Sequence, residues 1–174
     1  LVQEIINLSR VQDSDPLQLA QEVSVEYLIR EAIDQCQITA DSRNITVSYL
    51  ENSDEVVLGD RDQLIMAVHN LIENAINYSP ENTKVSVTTT SESGIIDISV
   101  TDQVIGISES EQDRIFERFY RVDPARSRQT GGTGLGLSIV KHVAAKHGGE
   151  VKVWSVENVG STFSIRLPIY ETSM

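Results

Sequence analysis

Gly132-Thr133-Gly134-Leu135-Gly136-Leu137 alternates glycine with small or apolar residues and runs directly into Ser138-Ile139-Val140-Lys141. Glycine lets a backbone pass close to a ligand, and a helix opening behind such a loop offers N–H groups with no partner inside the helix. Together these features suit a phosphate. A flexible connection is the alternative reading of the same residues. The run lacks the Gly-Lys-Ser/Thr ending of a P-loop, and no strand pattern immediately precedes it, as a dinucleotide fingerprint requires.

Three asparagines form a second group. Leu64, Ile65, Val68, Leu71, Ile72, Ala75 and Ile76 mark one apolar face of a helix over 60–78. At about 100° per residue, Asn70, Asn74 and Asn77 fall within roughly 60° of each other on the opposite side. Asparagine is a mediocre helix former, so three in line need a reason. Carboxamide oxygens can coordinate a hard cation such as Mg²⁺, and the amide N–H groups can reach phosphate. The bland alternative is a neutral face in water. Asp102 is a third candidate. Ile96, Ile98 and Val100 alternate along a strand, and the same period of two carries Asp102 onto their face at the strand's end. A carboxylate at the edge of a core needs donors. An adenine amine is one such donor; a nearby backbone N–H is the structural alternative. Gly106 permits close backbone approach beyond it.

The elements that position these groups follow from periodicity and turn chemistry. Helical spacing of Val25, Leu28, Ile29, Ala32, Ile33 and Cys36 predicts a helix from about Ser24 to Ala40, followed by strands at 45–49 and 56–59. Asp60 and Gln63 form a capping-box-like start for the asparagine helix. Strands at 85–90 and 95–101 turn at Ser93-Gly94. A short helix over 108–116 precedes an arginine-rich stretch, and Gly148-Gly149 closes the helix behind the glycine loop. Strands at 151–156 and 162–167, joined by a turn at 158–160, complete the chain. Strands and helices mix without regular βαβ alternation. The fold class this predicts is α+β, a two-layer sandwich with helices on one face of the sheet.

At 174 residues and a net charge of -12, the chain is one domain with a short appendage, and its acidity disfavours nucleic acid and anionic membranes as partners. Five of its ten arginines (Arg114, Arg118, Arg121, Arg126 and Arg128) lie just before the glycine loop. Local positive charge there suits a small anionic ligand, although a charge run by itself is more often a solvated loop. Cys36 is the single cysteine and falls on an apolar helical stripe, which predicts a buried thiol. Leu1, Ile5 and Leu8 carry helical spacing up to Asp13-Ser14-Asp15-Pro16, so residues 1–15 read as the end of an upstream element plus a linker, with the main domain over 16–174. No apolar run is long enough to span a bilayer, and the chain itself is expected not to be membrane-bound.

The ordered set Asn70-Leu71-x-x-Asn74-Ala75-x-Asn77-Tyr78-Ser79-Pro80, Asp102-x-x-x-Gly106-Ile107, Ile115 to Asp123, Gly132 to Leu137, and Gly160-Ser161-Thr162-Phe163 resembles the ATP-binding domain of bacterial sensor histidine kinases. These correspond to that family's N, G1, F, G2 and G3 boxes, in order, over about residues 17–168. The resemblance implies the Bergerat-type fold shared with gyrase-type and chaperone ATPases, a mixed sheet with about three helices on one face. It also implies ATP and Mg²⁺ as cofactors. By position it assigns Asn74 to Mg²⁺, Asn70 to the phosphate–metal cluster, and Asn77 and Tyr78 to the nucleotide site. Asp102 would take the adenine amine, with Gly106 and Ile107 beside it. Tyr120 and Arg121 would reach in from a lid over about 107–131. Gly132, Thr133, Gly134, Leu135, Gly136 and Leu137 would hold phosphates, and Thr162 would support the adenine pocket. Asn70 and Arg121 would be the catalytic pair. The implied partners are a dimerisation and histidine-phosphotransfer domain of the same full-length homodimer, whose second helix would end in residues 1–11, and a response regulator. The implied location is cytoplasmic, with a membrane-anchored parent.

Gyrase-type hydrolases carry a glutamate base where Asn70 stands. An amide cannot take a proton from water, which fits phosphoryl transfer to a protein group better than hydrolysis. None of His69, His142 and His147 has the family's phosphoacceptor context, so the acceptor is expected outside this chain. His147 is expected at a helix C-terminus, where a cation is mildly favoured. Three positions depart from the family pattern: Asn77 replaces a basic residue, Asn158 a common glycine, and Val104 the first glycine of Asp-x-Gly-x-Gly. The last opens a rival reading, a nucleotide-impaired interaction module; a serine kinase of the same fold is a second rival.

Overall fold

The computed structural model describes residues 20–49, 53–102, 135–156 and 160–171. In chain order these form β1 (Gln21–Ser24), α1 (Val25–Ser42), β2 (Thr46–Tyr49), β3 (Val56–Gly59), α2 (Arg61–Tyr78), β4 (Lys84–Glu92), β5 (Ile95–Asp102), α3 (Leu135–Lys146), β6 (Glu150–Val156) and β7 (Gly160–Pro168). The main sheet runs β2-β4-β5-β7-β6. β2 pairs parallel to β4 and every other pair is antiparallel, so the sheet is mixed, as expected. β1 and β3 form a separate antiparallel ribbon.

Period-two alternation decides which face of the sheet is covered. Val85, Val87, Ile96, Ile98, Val100, Phe163, Ile165 and Leu167 are buried against the helices. Their neighbours in sequence lie on the other face, where Ser99 meets Ser164 (2.8 Å between hydroxyls), Thr101 meets Thr162 (3.0 Å), and Arg166 pairs with Asp97 (2.8 Å). Each helix buries an apolar stripe in the same core: Leu28, Ile29, Ala32 and Cys36 from α1, Leu64, Val68, Leu71, Ile72 and Ile76 from α2, and Ile139, Val140, Val143 and Ala144 from α3.

The helix starts and stops follow local chemistry. Ser24 caps α1 by accepting the Tyr27 N–H, and Asp60 caps α2 by accepting the Gln63 N–H at 3.1 Å. At the end of α3, Gly149 N–H reaches Ala144 O (2.8 Å) and Gly148 N–H reaches Ala145 O (3.2 Å), a Schellman closure with Gly148 at φ 75°. The β4–β5 hairpin turns on Ser93 and Gly94, both at positive φ (54° and 78°), as a two-residue primed turn requires.

Three expectations change. β1 is absent from the sequence reading. α3 begins at Leu135, so Leu135, Gly136 and Leu137 are already helical and the loop proper ends earlier than the motif does. The Asp60 N–H, which a complete capping box would give to Gln63, goes to His147 Nε2 at 3.1 Å. The elements expected over 1–11 and 108–116 and most of the turn expected at 158–160 lie outside the described residues, and Gly160 begins β7.

Candidate functional site

Hydrogen bonds at one end of the sandwich fix what gathers at the other. His147 follows the last residue of α3 and is bonded to Asp60, the residue before α2, so the two helices run antiparallel. α3 is 12 residues long, about 18 Å at 1.5 Å per residue, so its first turn stands level with about residue 72 of α2. Asn70 and Asn74 flank that level, and Asn77 and Tyr78 follow in the last turn. All four are half-buried, and the helix's buried stripe faces elsewhere.

The sheet delivers Asp102 to the same end. The tip of the β4–β5 hairpin is tied to the end of β7, where Ile169 N–H donates to Gly94 O at 2.9 Å. Gly149, just past α3, packs on Arg166 of that same strand. Asp102 terminates β5 at the opposite end, facing the core, and is only 6% exposed. One carboxylate oxygen accepts the Ser161 N–H at 3.2 Å. A buried carboxylate here is partly satisfied by backbone, the structural alternative considered above, and its several lone pairs leave it able to serve more than one donor.

Thr162 is a correction. In register it stands opposite Thr101, and its hydroxyl bonds the Thr101 hydroxyl on the outward face of the sheet. Ser161, opposite Asp102 and 3% exposed, is the G3-box residue on the core side. A shift of one residue along a strand moves a side chain to the other face. The motif quoted both residues, and only pairing with β5 tells them apart.

His147 stands at the C-terminus of α3, where it was expected, but without the charge favoured there. Its Nδ1 lies 2.7 Å from Val143 O and its Nε2 takes the Asp60 N–H. Nδ1–H must donate and the Nε2 lone pair must accept, so the ring is neutral. Burial pushes its pKa down, against the opposing influence of the Val143 carbonyl and Asp60. The cation of that helix end is Lys146, not His147. His69, next to Asn70, turns toward α1 instead: Nε2 is 2.9 Å from Glu73 and Nδ1 is 3.3 Å from Cys36 Sγ. The His69 contact holds the Glu73 carboxyl below its usual range, and burial pushes the Cys36 thiol up to about 12. Cys36 is the buried thiol its stripe predicted, and its raised pKa keeps it unreactive.

Gly106, Ile107, Tyr120, Arg121, Gly132, Thr133, Gly134 and Val104 lie outside the described residues. Among the described residues, no cluster of three or more His, Cys, Asp or Glu could hold a metal, and no helix is long and apolar enough to cross a membrane. Oxygen donors at this end come instead from carboxamides, which suit a hard cation that keeps part of its water shell. The donor set fits Mg²⁺, and the buried carboxylate fits an amine-bearing base.

Residues 59–171 match the family model described as histidine kinase-, DNA gyrase B-, and HSP90-like ATPase. The sensor-like histidine kinase SenX3 of Mycolicibacterium smegmatis is 46% identical over 170 residues, which is 98% of this chain and 44% of that protein. The sensor histidine kinase WalK of Bacillus subtilis is 36% identical over 98% of this chain and 28% of its own length. The chain thus spans less than half of each of these relatives. Among solved structures, the mycobacterial sensor histidine kinase MprB superposes with a TM-score of 0.74 at 30% identity, over 87% of this chain and 99% of that one. Full-length ShkA in complex with AMPPNP gives 0.80 at 25% identity, over 99% of this chain and 36% of that one. With the family model covering well over half of its length, the chain belongs to the histidine kinase-, DNA gyrase B-, and HSP90-like ATPases.

Proposed function

We propose that this chain is the Mg·ATP-binding catalytic domain of a two-component sensor histidine kinase. The observation that carries the reading is convergence at one end of the sandwich: Asn70 and Asn74, the first turn of α3, and buried Asp102 beside Ser161. The names of the relatives support it. In this reading Asn74 ligates the metal, and Asn70 contacts the phosphate–metal cluster. Asp102 accepts from the adenine amine, with Ser161 behind it in the role first given to Thr162. Gly132 to Leu137 hold phosphates, and Tyr120 and Arg121 approach from the lid. Bound Mg·ATP supplies the γ-phosphoryl group. Asn70 orients but takes no proton, and a neutral imidazole acceptor needs no base. The residues of this chain therefore bind, align and neutralise charge, as is general for phosphoryl transfer.

The acceptor histidine sits on a dimerisation domain of the same parent, of which residues 1–15 are the tail and linker, and 16–174 form the catalytic domain. A response regulator receives the phosphoryl group. The parent is membrane-anchored, with this domain on the cytoplasmic side.

Asn74→Ala tests the metal assignment. Because Asn74 is off the buried stripe, the variant should keep its melting temperature while Mg·ATP affinity falls about tenfold, about 1.4 kcal/mol. Unchanged affinity in calorimetry removes Asn74 from the metal site. A second reading, a nucleotide-impaired interaction module, rests on Val104. If its position needs a left-handed backbone, valine costs about 1–2 kcal/mol or more. Val104→Gly should then raise affinity for an ATP analogue about tenfold at equal Mg²⁺. Equal titrations of the two proteins would leave that rival without support.

A further inference from the structure

We propose that His147 is a positioning residue for the phosphate end of the site, holding α3 in axial alignment with α2 from the far end of both helices. The inference deepens the ATP-binding reading above and rests on it. His147 joins two points 87 residues apart in sequence: its Nε2 accepts the Asp60 N–H at 3.1 Å, and its Nδ1 is anchored 2.7 Å from Val143 O within its own helix. Only the Nδ1–H tautomer makes both bonds, so the ring acts as a fixed strut. Gly59 leaves it no slack. A Cβ added there would stand 2.3 Å from His147 Cδ2 and 2.6 Å from Nε2, so the ring edge lies directly on the backbone before α2.

The apolar contacts between α2 and α3 cannot do this alone. Ile139, Val140, Val143 and Ala144 set the rotation of α3 toward the core, but apolar burial by itself is non-directional. A hydrogen bond is directional and fixes a distance. A second tie, Gly149 against Arg166, fixes the end of α3 to the sheet, which also carries Asp102. The His147 bond is separate, because it aligns α3 with the helix that carries Asn70 and Asn74. A shift at His147 passes along about 18 Å of rigid helix to the turn at Leu135–Ser138, which must face the same phosphates as the asparagines.

The separation of the two ties gives the test. His147→Leu keeps bulk and removes the acceptor. His147→Gln places Oε1 near the position of Nε2. Each is titrated by calorimetry with Mg·ATP and with adenosine, which engages only the base pocket, and amide spectra are recorded for the ligand-free proteins. The expected result for His147→Leu is about tenfold or greater loss of Mg·ATP affinity with adenosine affinity within about twofold, as a displacement remote from the chemistry can produce. The amides of Leu137–Val140 should shift, and His147→Gln should recover most of the affinity. Equal losses for Mg·ATP and adenosine, unmoved Leu137–Val140 amides, or no recovery in His147→Gln would each overturn the proposal. Unfolding of His147→Leu would overturn it too, making the bond a requirement of folding. Absence of nucleotide binding by the unaltered chain would sink the ATP reading by itself, and the amide shifts would still decide the positioning claim.

Discussion

Gly149→Ala should lower the melting temperature of this chain by about 10 °C, the largest effect expected of a methyl group added at Gly59, Gly94, Gly148 or Gly149. A Cβ at Gly149 would lie 1.9 Å from the carbonyl oxygen of Arg166, 3.0 Å from its carbonyl carbon and 3.3 Å from Leu167 Cδ2. The first two are backbone atoms of β7, paired to β5 on one side and β6 on the other, so neither can move without disturbing both ladders. Overpacking typically costs about 1–3 kcal/mol, and a backbone obstacle puts this case at the top of that range or above it. Two other glycines serve as controls. Gly94 and Gly148 have positive φ, but an added Cβ meets nothing within 4 Å at Gly94 and only Pro168 Cγ at 3.7 Å from Gly148. Alanine at either should cost only the conformational penalty, about 1–2 kcal/mol. Thermal unfolding followed by circular dichroism compares the three. A fall for Gly149→Ala no greater than for Gly94→Ala would show that the helix end can back away from β7.

Asp102→Ala should weaken Mg·ATP binding about 10–100-fold, the value of about 1.5–3 kcal/mol for a hydrogen bond to a charged group. The same change takes the acceptor from the buried Ser161 N–H, so a fall in stability is expected beside it. Asp102→Asn separates the two. Its carbonyl oxygen can still accept from Ser161, so the melting temperature should stay near that of the unaltered chain, while the lost charge still weakens the base contact. Titration with Mg·ATP and a thermal melt on both variants read the effects independently. Undiminished affinity in Asp102→Ala would take the adenine away from this carboxylate and leave it a purely structural partner of Ser161.

The parts of the site written in local patterns were legible beforehand. Alternation through Ile96, Ile98 and Val100 carried Asp102 to the buried face, and the stripe of α2 placed Asn70 and Asn74 off the core. Ser93-Gly94 and Gly148-Gly149 were readable because each needs a backbone conformation that few residues adopt. What failed was whatever depends on distant partners. β1 has one buried residue in four and exists because β3 pairs with it. Thr162 and Ser161 are told apart only by register against β5. Helix α3 starts inside the glycine motif, where glycine's low helix propensity argued for loop. His147 looked like a helix-end cation, because nothing near it in sequence announces the N–H of Asp60.

The antiparallel run of α2 and α3 has an electrostatic consequence. Aligned peptide dipoles leave roughly half a positive charge at a helix's amino end and half a negative charge at its carboxyl end. Away from the site these are offset by the helices' own side chains: Asp62 stands in the first turn of α2, and Lys146 in the last turn of α3. At the site end the helices' own side chains supply no such partner. The first turn of α3 has no acidic residue and the last turn of α2 has no basic one, although Arg43 reaches in from α1's cap to the Ser79 carbonyl at 2.6 Å. Arg43 therefore offsets the carboxyl end of α2, while the amino end of α3 keeps a partial positive charge built from backbone and indifferent to pH. A pole of that sign favours an anion near Leu135–Ser138 before any side chain has closed on it.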